Sequence, residues 1–109
     1  MTSMEALHRD YRQSLAAKRG DLRRAWEALC DEDATHAQAA HLHLLLHRLA
    51  GSAGTYGYAE IAARAKTLEQ AWTGWLAQSP EARPEAYRIC ATQACEMLGL
   101  LDALQAAVP

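Results

Sequence analysis

The chain has 109 residues, a formal net charge of -2 and 50% apolar residues, with no Phe and only three Pro. That length suits one domain with one core, so residues 1–109 are read as a single unit. The charge argues against a nucleic-acid binder, no apolar run approaches the roughly 18 residues that span a bilayer, and the opening MTSMEALHRDYRQ has no apolar signal core, so a cytoplasmic location is expected.

Ala, Leu, Arg and Glu dominate, and these favour helix. No alternating run of Val, Ile or Thr suggests a sheet. Four helices are predicted in chain order. The first runs from about Ser3 to Cys30, with Tyr11, Leu15, Leu22, Trp26 and Leu29 on its stripe and an interruption near Lys18 and Gly20. DEDAT then supplies capping residues for a second helix from about His36 to Gly54, which Gly57 stops. A third helix follows at once and ends near Ala77, carrying Ile61, Ala65, Leu68, Trp72 and Trp75 on one stripe. QSPEARPE is a loop, with Pro84 suited to a first helical position. The fourth helix ends near Ala106, with Tyr87, Ala91, Ala94, Leu98 and Leu101 as its stripe. Short connections between amphipathic helices predict an all-α, antiparallel up-down four-helix bundle. The tryptophans are read as core. Cys30, Cys90 and Cys95, an odd number without CxxC spacing, are read as ordinary thiols.

The second helix carries an anomaly. Its segment LLHRLAGSAGTYG places Gly51, Gly54 and Gly57 at three-residue steps after His47. Glycine within a helix costs roughly 1 kcal/mol relative to alanine. On a wheel that advances about 100° per residue, Leu45, Leu49 and Tyr56 lie opposite His47, flanked by Leu42 and Ser52, and this face is expected to be buried. Around His47 fall Ala40, His43, Ala50, Gly51 and Gly54, with Leu44 at the edge. A long side chain at 51 or 54 would lean back over His47. The glycines therefore clear the surface so that a macromolecule reaches the outer imidazole nitrogen. A small substrate more often needs a concave pocket. Neutral imidazole offers one nucleophilic nitrogen while a hydrogen bond fixes the other, and a phosphoryl group is an electrophile that fits.

HRLAGSAGTYG, with Leu68 and Glu69 further on, resembles the histidine-containing phosphotransfer (HPt) domains of bacterial two-component phosphorelays. That family's motif is histidine, leucine at +2, lysine at +3, glycine at +4, a small polar residue at +5 and glycine at +10. Here those places hold His47, Leu49, Ala50, Gly51, Ser52 and Gly57. The resemblance implies a four-helix bundle with His47 phosphorylated and no kinase activity or cofactor of its own. The implied partners are a receiver domain of a response regulator, a histidine kinase, or both, with magnesium on the receiver. It also implies a monomer whose docking face comprises His43, Leu44, Ala50, Gly51 and Gly54. Glu69 is where family members often place a side chain that bonds the imidazole. Arg48, Gly51, Ser52, Gly54 and Glu69 are the expected supporting residues. The departure is Ala50 in place of the usual lysine. Arg48, Arg64 and Lys66 are the candidate cations to replace it, each otherwise a solvated surface charge.

Three other readings compete. His43 and His47 are i, i+4 and could grip a metal, with His36 and His41 nearby, but no Asp, Glu or Cys on that helix completes the set, so no metal site is expected. GSAGTYG lacks the spacing of a nucleotide loop and follows a helix. The third is a plain helical interaction module whose flat small-residue face packs against another helix, and the alternative retained beside phosphotransfer is a degenerate HPt-like interaction module that docks without it.

Overall fold

The computed structural model describes residues 3–109, which form α1 (Ser3–Leu29), α2 (His36–Thr55), α3 (Ala59–Ala77), α4 (Ala86–Thr92) and α5 (Ala94–Ala107). No strand occurs among the described residues. Packing closes in a ring, α1 on α2, α2 on α3, α3 on α5 and α5 on α1, with the α2–α3 seam the most extensive. Arg19 of α1 donates to the Leu101 carbonyl of α5 at 3.1 Å, and Tyr11 of α1 meets Ser52 of α2 at 2.7 Å. The bundle is all-α and up-down, in a rod of 55 × 21 × 20 Å. Among the described residues no helix is long and apolar enough to cross a membrane.

As expected, the helix is continuous, running through Lys18 and Gly20 where the apolar spacing lapses. Its inward positions are Tyr11, Leu15, Lys18, Leu22, Ala25 and Leu29, at steps of four and three. Lys18 occupies an apolar position by bending its ammonium outward, onto the Ser14 hydroxyl at 2.7 Å and over the Tyr11 ring at 5.0 Å. Ala25 takes the core place expected of Trp26, which is only half-buried at the edge. Trp72 and Trp75 are core as expected, with the whole α3 stripe buried.

Thr35 caps α2 in a reciprocal box with Gln38: its hydroxyl accepts from the Gln38 amide, and the Gln38 side-chain oxygen accepts from the Thr35 amide. The turn to α3 is tight. Gly57 adopts φ +87°, and the amides of Gly57 and Tyr58 donate to the carbonyls of Gly54 and Ala53 at 3.3 and 2.8 Å. Pro84 sits one residue before the N-cap Glu85, not inside the helix, where its carbonyl accepts the Trp75 indole N–H at 2.8 Å.

The fourth predicted helix is two, α4 and α5, broken at Gln93. The Thr92 hydroxyl donates to the Ile89 carbonyl at 2.7 Å, and that carbonyl also receives the Gln93 amide. Hydroxyl capture of a carbonyl in the preceding turn bends helices. The buried stripe is Ala86, Cys90, Gln93, Met97, Leu100, Leu101 and Leu104, so the expected stripe was displaced by one residue: Ala91 and Leu98 are exposed and Tyr87 is half-buried. Cys90 lies 2.9 Å from Cys30 at the α1–α4 contact, and burial pushes its thiol well above the usual range, as suits a structural thiol.

Of the motif glycines, Gly57 alone has a conformation that a side chain disfavours. Gly57→Ala is expected to lower stability by about 1–2 kcal/mol, read as a lower urea midpoint with unchanged helical circular dichroism.

Candidate functional site

The buried residues of α2 are Ala39, Leu42, Leu46, Leu49 and Ala53. Their mean direction lies about 120° from His47 rather than opposite it, so the core face is turned some 60° from the face expected. Leu45 and Tyr56, expected at the buried pole, are only half-buried. The turn has a chemical consequence. His47 does not stand alone at the outer pole; it stands on the shoulder of α2 beside α3, while Leu44, 41% exposed, occupies the outermost line with Gly51.

Along that shoulder α2 and α3 run antiparallel in a single register. His43 meets Thr73, His47 meets Glu69, and a Cβ placed on Gly54 would lie 3.9 Å from that of Ala62. His47 Nδ1 is 2.6 Å from Glu69 Oε2. The His47 side chain is 68% exposed, whereas that of Glu69 is 16% exposed. A carboxylate accepts and does not donate, so the proton between them belongs to Nδ1. Nε2, on the far side of the ring, then carries the free lone pair and faces solvent. His47 and Glu69 therefore come together as expected.

His43 is built the other way. The Thr73 hydroxyl donates to the Glu69 carbonyl at 3.0 Å, so toward His43 Nε2, 2.8 Å away, it presents a lone pair. His43 therefore donates from Nε2, and its outer nitrogen is occupied. The two rings stack at 6.5 Å and 14°. They are parallel plates with different tautomers and do not converge on a common ion. Among the described residues no group of three or more His, Cys, Asp or Glu is arranged to hold a metal. His36 and His41 are exposed elsewhere on α2, His36 against the Trp75 ring and His41 over α1.

Other expected site residues separate. Gly51 has nothing within 4 Å of an added Cβ, and Gly54 meets only Ala62 at ordinary contact distance, so the helix face beside His47 is clear. Ala50 is half-buried at the α3 seam. Ser52 is not on this face: it bonds Tyr11 and ties α1 to α2. Arg48 also turns away, lining a small cleft with Lys18, Asp21 and Leu22 of α1. Arg64 is held by Glu60 at 3.2 Å and lies over Gly99 of α5, where an added Cβ would come within 2.6 Å of its guanidinium. Lys66 is different. It lines one shallow depression with His47, Ala50, Gly51 and Glu69. Thr73 was missed in the sequence. The available signal was its spacing, four residues after Glu69 as His43 is four before His47.

A family model described as the Hpt domain matches residues 6–107 of the chain. No curated protein and no solved structure matches it.

Two outcomes follow from this geometry. Nitrogen-15 NMR of the ring nitrogens should show His47 with its neutral-form proton on Nδ1, and Glu69→Ala should move most of that proton to Nε2. Gly51→Ala should raise stability by about 0.5–1 kcal/mol in urea denaturation, because the glycine has no intramolecular neighbour that requires it.

Proposed function

The chain belongs to the Hpt domain family, and from that premise we propose that it is a phosphorelay intermediate that accepts and donates a phosphoryl group on His47 Nε2. The observation that carries this reading is the 2.6 Å bond from Nδ1 to the recessed Glu69 carboxylate, which leaves Nε2 unprotonated on an exposed ring. In transfer, the Nε2 lone pair forms an N–P bond while the P–O bond to a receiver aspartate breaks, its electron pair remaining on the aspartate carboxylate. The ring keeps its Nδ1 proton, becomes cationic, and is countered by Glu69. No proton need enter or leave. Reversal onto another receiver returns the pair to the imidazole. Such transfer depends mostly on positioning and charge stabilisation.

In this reading the chain is a phosphocarrier without kinase activity or a cofactor of its own, working as a cytoplasmic monomer. Magnesium belongs to the partner. Receiver domains of response regulators or hybrid kinases dock on the face formed by Leu44, Gly51 and Gly54, with His43 and Ala50 along its α3 edge. Ala50 at the place of the family's usual lysine favours a second reading, in which the domain docks but carries no phosphate.

One experiment separates the two. Incubation with a phosphorylated receiver domain should place acid-labile, alkali-stable phosphate on the wild type and none on His47→Gln of unchanged helicity. Wild type that binds receivers and never takes label would support the docking-only reading instead.

A further inference from the structure

Phosphorylation at Nε2 would put a dianion beside a carboxylate that is already present. On α2 the neighbouring groups are the His43 ring, stacked on His47 with its Nε2 committed to Thr73, and Ala50, Gly51 and Gly54, so none brings a fixed positive charge. The charge must be balanced from another element. Arg64 is engaged by Glu60 and Gly99 on the α5 side, and Arg48 faces α1.

The α2–α3 register supplies the remaining cation. Positions 43, 47 and 54 of α2 face 73, 69 and 62 of α3. The intervening rung, one turn beyond His47 and one turn before Glu69, pairs Ala50 with Lys66. Both line the depression that also contains His47, Gly51 and Glu69. No ion pair engages Lys66 among the described residues. Alanine opposite it leaves the flexible four-carbon stem room to lie across the seam.

Resting on the phosphotransfer reading above, we propose that Lys66 is the electrostatic partner of the phosphoryl group on His47, holding across the helix seam a fixed positive charge that the His47 face of α2 lacks. Its ammonium donates to the phosphoryl oxygens and offsets part of their charge, while Glu69 accepts from Nδ1–H at the other edge of the ring. The same lysine then favours approach of an anionic phosphodonor.

The test uses phosphoramidate, a small donor that needs no docking. Nε2 attacks its phosphorus, the P–N bond breaks, and ammonia leaves. Lys66→Gln should take up phosphate roughly three- to tenfold more slowly than wild type. In phosphorus-31 NMR titration its phosphohistidine should show a phosphoryl pKa raised by about half a unit, since loss of a neighbouring cation disfavours the dianion. Lys66→Arg should retain most of both properties. The double variant Lys66→Gln, Ala50→Lys should recover them, because it returns the charge to the same rung from the other helix. Unchanged uptake and titration in Lys66→Gln would overturn the assignment while leaving phosphotransfer intact. So would a deficit that Ala50→Lys fails to repair. Wild type that takes no phosphate would overturn both readings together.

Discussion

The register between α2 and α3 is the constraint on which the site depends. It is set from two sides. The short turn fixes one end, where Gly57 takes a left-handed conformation and the Gly57 and Tyr58 amides close onto α2 carbonyls. The core fixes the rest, with Leu42, Leu46 and Leu49 of α2 buried alongside Ile61, Leu68 and Trp72 of α3. Slippage by one helical turn would move the α3 rungs by about 5.4 Å, far more than a hydrogen bond tolerates. Every pairing on the outer shoulder is thus inherited from apolar packing on the inner one.

That inheritance lets a single helix present two chemically distinct histidines one turn apart. In isolation His43 and His47 are similar side chains on similar backbone. Across the seam, one meets a hydroxyl that has spent its proton on the Glu69 carbonyl, and the other meets the Glu69 carboxylate. The first partner ties up an outer nitrogen; the second frees one. Glu69 contributes to both settings, through its backbone oxygen to Thr73 and through its side chain to His47.

Much of this was legible from sequence, and the exceptions have physical causes. The α3 stripe is read in full because five apolar residues fall at regular steps without a polar intruder. In α1 a lysine occupies an inward position and hides the regularity, while Ala25 proves more buried than the far larger Trp26. In the last helices buried Gln93 conceals the true stripe, and the exposed Leu98 suggests a false one. The face of α2 was misjudged for a different reason. A helical wheel gives the centre of hydrophobicity, but α2 packs on α1 and α3 at unequal extent, and the direction of the seam is a property of the pair. Hence Glu69 was found through resemblance, Ser52 and Arg48 were counted as supporting residues although both face α1, and Thr73 was not found.

The glycines show how far the chain's own packing accounts for its sequence. Gly57 is required by the turn, and Gly99 lies beneath the guanidinium of Arg64, which a side chain there would displace. Gly51 and Gly54 have no such reason: both are helical, and a methyl group at either would meet at most ordinary contact. Each costs roughly 1 kcal/mol relative to alanine, a substantial sum against the roughly 5–15 kcal/mol of net stability typical of a native protein. Local rules are most often broken where function requires it. The chain's own packing gives no return for these two positions, and the phosphotransfer reading proposed above supplies one: both lie on the side of α2 that carries the exposed His47 nitrogen, where a docking partner would come close to the backbone.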